Sequence, residues 1–144
     1  MKISIASDHA GIKLKDTIKK SLETRNISVL DLGPFSSERV DYPDYAKKVA
    51  LTLLEDRSDY GILICGTGIG MSIAANRYSG IRAAVACSAT YARYARAHND
   101  ANILCLGARF ISKDTALECI KTFITTAFEG GRHVQRLKKI KQMR

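Results

Sequence analysis

Cys65 stands where residue types and spacing together suggest chemistry. It ends the apolar run Ile62-Leu63-Ile64 and opens Cys65-Gly66-Thr67-Gly68-Ile69-Gly70, a glycine-rich turn leading into an expected helix. Glycines let backbone N–H groups come close to an anion, and the partial positive charge of a helix N-terminus favours one. A thiol in that position is favoured as thiolate, which can serve as a nucleophile or as a base. Three other uses of such a turn fail on spacing. A dinucleotide site needs an acidic residue about 20 positions beyond G-x-G-x-x-G, and no Asp or Glu lies between Asp59 and Asp100. The triphosphate loop needs Gly-Lys-Ser/Thr, which is absent. A phosphatase loop needs an arginine six positions after its cysteine, where Met71 stands.

The chain has three histidines, the side chain most easily used for proton transfer near neutral pH. His9 follows Asp8 and His98 precedes Asn99-Asp100, so both are candidates for the site, whereas His133, beside Arg132, reads as structural. Asp41 and Tyr42 lie in a loop that can reach the same rim, and Pro43 marks the first turn of a helix. Cys87, Cys105 and Cys119 read as small buried hydrophobes. No Cys-x-x-Cys pair or clustered ligand set occurs, so neither a metal nor a nucleotide cofactor is expected.

Positioning these residues requires strands that end beside them. Short apolar runs at Lys2–Ser7, Ser28–Leu32, Gly61–Cys65, Arg82–Cys87 and Ile103–Leu106 read as strands covered on both faces. Helical stretches are expected between them, near Ile12–Arg25, Tyr45–Glu55, Met71–Tyr78, Ala89–Ala97 and Lys113–Ala127. Leu14, Ile18 and Leu22 recur at helical spacing and predict one buried face. After Gly130-Gly131 a last helix carries Val134, Leu137 and Ile140 on one side; Arg132 and Arg136 fall about 40° apart on another. The alternation predicts an α/β fold with a parallel sheet, in which ligands bind beyond the carboxyl ends of the strands. Asp8, His9, Cys65 to Gly70 and Gly107 to Arg109 lie at those ends.

At 144 residues, 46% hydrophobic and with two prolines, the chain suits one globular domain over residues 1–144. Asp8 interrupts the first apolar residues too early for a signal peptide, no run is long enough for a membrane helix, and the separated thiols suit a reducing compartment, so a cytoplasmic protein without membrane contact is expected. The net charge of +9 is uneven: Arg132, Arg136, Lys138, Lys139, Lys141 and Arg144 follow Glu129 with no acid among them. The remaining 17 basic residues face 14 acidic ones, and no zinc pattern, RNA-recognition signature or aromatic platform accompanies the tail. A solvated helix face accounts for it, and no nucleic-acid partner is expected.

Six ordered blocks span nearly the whole chain: Ser7-Asp8-His9-Ala10-Gly11, the stretch Ser36 to Pro43, Cys65 to Gly70, His98-Asn99-Asp100, Gly107-Ala108-Arg109 and Glu129-Gly130-Gly131-Arg132-His133. Together they strongly resemble ribose-5-phosphate isomerase type B. The resemblance implies a Rossmann-like three-layer α/β/α sandwich with a five-stranded parallel sheet, and a C-terminal helix packed on a partner subunit. It implies a homodimer or dimer of dimers that interconverts a sugar phosphate, ribose 5-phosphate, with ribulose 5-phosphate. Galactose-6-phosphate and allose-6-phosphate isomerases are the alternatives within the family. By the same resemblance Cys65 takes the C2 proton and the amides of Gly66, Gly68, Ile69 and Gly70 stabilise a cis-enediolate. Thr67 lies against the reacting oxygens, His98 assists opening of the furanose ring, and Asp8 and Asn99 bind hydroxyls. His9, Arg109, Arg132 and Arg136 hold the phosphate, while His98, Asn99 and Arg109 come from the neighbouring subunit.

Overall fold

The structure is a computed structural model and describes residues 1–143; Arg144, the end of the basic tail, lies outside the described residues. Five strands, β1 (Lys2–Ser7), β2 (Ser28–Asp31), β3 (Tyr60–Cys65), β4 (Ala83–Val85) and β5 (Ile103–Gly107), form one parallel sheet in the order β2-β1-β3-β5-β4. Helices α1 (Ile12–Glu23), α2 (Tyr42–Leu54), α3 (Ile69–Ala75), α4 (Ala89–Asn99) and α5 (Lys113–Thr125) connect or follow them, and α6 (Arg132–Gln142) ends the chain.

Because successive side chains of a strand point to opposite faces, the buried strands feed two cores. Ile3, Ile5, Ile62, Ile64, Leu104 and Leu106 pack with Ile18 and Leu22 of α1, Ala92 of α4 and Ile120 and Phe123 of α5. Leu63, Cys65, Ile103 and Cys105 pack on the other side with Val49, Ala50 and Leu53 of α2 and Met71 and Ala75 of α3. This is the expected three-layer α/β/α sandwich, and Cys65 faces the layer of α2 and α3. Among the described residues no helix is long and apolar enough to cross a membrane.

The differences from the expected elements have local causes. Helix α2 starts at Tyr42 instead of Tyr45 because Pro43, with its φ already helical and no N–H to satisfy, fits the first turn after an extended Asp41. Strand β4 shortens to three residues because it is an edge strand paired only with β5. On α1, Ile18 and Leu22 are buried and Leu14 packs at the margin, but the fully buried polar neighbour, Lys15, had no signal in the hydrophobic pattern. Its Nζ donates to Asp31 Oδ1 and to the Pro34 carbonyl, both at 2.8 Å, which ties α1 to the end of β2 and to the loop beyond it. The apolar stripe of α6 is incompletely covered: Val134 is 37% and Ile140 49% exposed.

Candidate functional site

Asp8 is the first residue past β1. Its N–H donates to the Ile64 carbonyl at 2.9 Å and its Oδ1 accepts from the Ala10 N–H at 2.9 Å, so a buried carboxylate is locked at the mouth of β1 and β3. His9 next to it accepts at Nδ1 from the Val40 N–H at 3.5 Å. That contact assigns the ring proton to Nε2 and leaves an N–H free to donate. An open cleft of about 910 Å³ borders His9, Arg39, Asp41, Asp44 and Lys48. Neither Cys65 nor any other residue of the glycine turn lines it.

The turn after β3 is shaped by close approaches that exclude side chains. The Gly68 N–H points at Cys65 Sγ, 3.1 Å away, and Gly68 has the left-handed φ of 78° that only glycine adopts freely. A Cβ on Gly107 would lie 2.7 Å from the Thr67 carbonyl oxygen, and one on Gly70 would lie 2.7 Å from the Tyr42 ring. Tyr42 therefore closes over the start of α3. Thr67 Oγ1 accepts from the Ile69 N–H at 3.2 Å. Cys65 thus sits buried at 5% exposure, its sulfur facing the Gly68 backbone donor on a turn of three glycines. Such a set suits a sulfur anion that moves a proton beside an oxygen gaining charge.

Arg109 belongs to this end of the sheet in its own chain. Its N–H donates to the Gly66 carbonyl at 3.1 Å, and its side chain packs over Gly66, where a Cβ would lie 3.1 Å from a guanidinium nitrogen. Arg109 lies there because β5 ends beside β3 and delivers its next two residues to the end of the sheet where the glycine turn begins.

His98, Asn99, Arg132 and Arg136 are elsewhere. Register pairs Gly61 with Ile103 and Cys65 with Gly107, so the length of β5, roughly 13 Å at ~3.3 Å per residue, separates Cys65 from the end where α4 enters β5. His98 and Asn99 close α4 at that far end. Asp100, with a left-handed φ of 45°, binds Arg96 at 2.7 Å and Arg82 at 2.9 Å and so fixes the turn. Helix α6 packs against α4 there, with Arg132 and Arg136 exposed. One chain therefore holds two groups of candidates at opposite ends of its sheet.

The second group contains two residues that sequence reasoning missed or read as structural. His98 and His133 stack with ring centroids 4.2 Å apart and planes 14° from parallel. Glu129 Oε2 lies 3.6 Å from His98 Nε2 and 4.0 Å from His133 Nε2. Glu129 and His133 are four residues apart, and the signal was only that spacing beside two basic residues. The three ligand atoms lie within 4.8 Å of one another, which the sequence, with no local cluster, did not show. Near-parallel imidazole planes aim their lone pairs side by side, so a single ion would bind both only after one ring turned. Burial, then His98, Arg132 and Arg136, hold His133 below the usual histidine range against the opposing pull of Glu129. On β5, burial and then the nearby Cys65 push the Cys105 thiol far up, which suits the inert role expected of it.

A family profile described as Ribose/Galactose Isomerase matches residues 3–140. A putative sugar phosphate isomerase of Rickettsia conorii is 53% identical over 139 residues, covering 96% of each chain. The ribose-5-phosphate isomerase B of Escherichia coli K12 is 47% identical, covering 96% of this chain and 93% of that protein. Among solved structures, a ribose 5-phosphate isomerase of Thermotoga maritima superposes with a TM-score of 0.97 at 54% identity over 99% of this chain and 98% of that one. The Mycoplasma genitalium ribose-5-phosphate isomerase B, solved with bound ribulose-5-phosphate, gives 0.93 at 43% identity over 98% and 94%.

Proposed function

The chain belongs to the ribose/galactose isomerase family, and from that premise we propose that it interconverts ribose 5-phosphate and ribulose 5-phosphate as a single isomerase domain. The observation that carries the reading is the Gly68 N–H directed at Cys65 Sγ within the glycine turn that follows β3. The Cys65 thiolate takes the C2 proton of the open-chain aldose. The released electron pair forms the C1–C2 double bond, and charge moves onto O1, where the turn's amides stabilise it. Return of the proton from sulfur to C1, with transfer of the O2 proton to O1, gives the ketose. Thr67 lies beside these oxygens, and Asp8 accepts from sugar hydroxyls. The Nε2–H of His9 and the Arg109 guanidinium meet the phosphate.

The remaining residues come from a second copy of the chain. Within one copy His98 and Cys65 are at opposite ends of the sheet, so a site that uses both is built between subunits, with His98, Asn99, Arg132 and Arg136 presented by the partner. Exposed apolar side chains support that assembly: Ile69 and Ile73 on α3 and Phe110 beside Arg109 are 55%, 63% and 75% exposed. Docking of α6 on the partner covers its half-exposed stripe. His98 assists opening of the furanose ring, which frees the aldehyde for the proton transfer.

The test compares turnover of ribose 5-phosphate, allose 6-phosphate and galactose 6-phosphate by the purified protein, and follows exchange of the C2 hydrogen in deuterated water. The pentose phosphate is the preferred substrate, and Cys65→Ala loses exchange by about 100-fold or more while still binding sugar phosphate. Near-normal exchange in Cys65→Ala would refute the cysteine base, and preferred turnover of a hexose phosphate would reassign the substrate.

A further inference from the structure

We infer that Glu129 and His133 are positioning residues for His98, holding its imidazole at the orientation in which it meets the substrate. The inference rests on the reading of His98 given above and adds two residues that neither the sequence reading nor that mechanism uses.

Three contacts define the ring. His133, only 6% exposed, lies flat against it at 4.2 Å. Tyr94, one turn earlier on α4, touches it at a centroid distance of 4.7 Å and a tilt of 45°. The Glu129 carboxylate meets its Nε2 edge at 3.6 Å, an ion-pair distance longer than a hydrogen bond. An exposed histidine on a helix end otherwise samples several rotamers, and fixing one of them in advance removes that entropy from the reaction. Here the His98 side chain remains 32% exposed, so the ring is held from within its own chain while part of it stays open.

The clamp is itself anchored. The Glu129 N–H donates to the Ala97 carbonyl at 2.9 Å, joining the segment before α6 to the last turn of α4. The His133 N–H donates to the Gly130 carbonyl at 3.1 Å, and Gly130 and Gly131 take the positive φ values of 68° and 56° that let the chain turn sharply between Glu129 and α6. This gives the Glu129-Gly130-Gly131-Arg132-His133 block a local purpose: two glycines fold a carboxylate and an imidazole back onto one histidine. Burial and the neighbouring His98, Arg132 and Arg136 lower the proton affinity of His133, which favours the neutral ring in the stack.

The experiment uses the full-length enzyme, the variants Glu129→Gln, Glu129→Ala, His133→Phe and His133→Ala, and His98→Ala alone and combined with each of the two alanine changes. Circular dichroism first confirms that each is folded, and His133→Phe, which keeps a flat ring, serves if His133→Ala does not fold. Two-bond 1H–15N spectra of the substrate-free proteins report the His98 ring directly, and steady-state kinetics on ribose 5-phosphate report its use. We expect shifted His98 resonances and a kcat lowered about 10- to 100-fold in Glu129→Ala and His133→Ala, with KM changed little. His133→Phe recovers most of kcat, and neither alanine change lowers kcat further in a His98→Ala background. Unshifted His98 resonances, or full additional losses on top of His98→Ala, overturn the inference. Shifted resonances in variants of an enzyme whose His98→Ala form keeps wild-type kcat support the positioning and refute the catalytic reading of His98 instead.

Discussion

Four cysteines occupy four different environments, and those environments decide which sulfur can react. Cys65 is buried but faces a backbone donor on the glycine turn. Cys119 is buried in the core, where burial and then the nearby Cys87 and Glu118 push its thiol up to about 11, and Cys105 is pushed further by burial. Cys87 is exposed. Treatment with iodoacetamide at pH 8 is therefore expected to alkylate Cys87 first and to leave Cys105 and Cys119 unmodified until the protein unfolds, as read by peptide mass spectrometry. Saturating sugar phosphate should protect Cys65 without protecting Cys87. Early alkylation of Cys105 or Cys119 in the folded protein would contradict the burial assigned to them.

At the scale of elements, the Lys15 and Asp31 pair does what apolar packing cannot: it fastens α1 to the end of β2 and to the Pro34 carbonyl at the start of the loop leading to Tyr42. The side chains are 1% and 10% exposed. Asp31→Ala leaves the Lys15 charge buried without a partner, and the expected loss is about 3–5 kcal/mol, measured by urea unfolding. Burial works to raise the Asp31 carboxyl. The Lys15 hydrogen bond, the Gly33 N–H and the charges of Lys15 and Lys19 outweigh it and hold the carboxyl below its ordinary value of 3.8. A carboxyl lowered in the folded state stabilises fully above that ordinary value, and the contribution is lost as pH falls through the lower folded one. Wild-type stability should therefore drop with acid below about pH 4, and Asp31→Asn should flatten that part of the curve. An unchanged acid limb in Asp31→Asn would show that this pair does not govern it.

For the whole molecule, the division of candidates between the two ends of the sheet is what calls for a second copy. Cys65→Ala and His98→Ala proteins, each inactive alone, are expected to complement when mixed and allowed to exchange subunits. In a mixed dimer one site collects both substitutions and the other is intact. Random reassociation makes half of the dimers mixed, so recovery approaches roughly 25% of wild-type activity. Mixed dimers verified by native mass spectrometry but showing no recovered activity would end the shared-site reading while leaving Cys65 in place.

The sequence by itself determined the parallel sheet, its covering by helices on both faces and the strand end at which Cys65 stands, because each depends on local patterns: apolar runs that end in glycine, helical spacing, and a cysteine placed where a strand meets a helix. It also named His98, Asn99, Arg132 and Arg136, and the family resemblance set His98 and Asn99 on a neighbouring subunit. Only the tertiary structure decided that they lie at the far end of the sheet, because strand register sets that distance and no local pattern records it. Arg109 shows the same dependence in reverse, since the pairing of β5 with β3 brings it to its own chain's Gly66. Lys15, Glu129 and His133 were illegible for a related reason. Each is defined by a partner from another element, Asp31 and Pro34 for the lysine and His98 for the other two, and hydrophobic periodicity carries no information about polar groups that become neighbours only when the chain has folded.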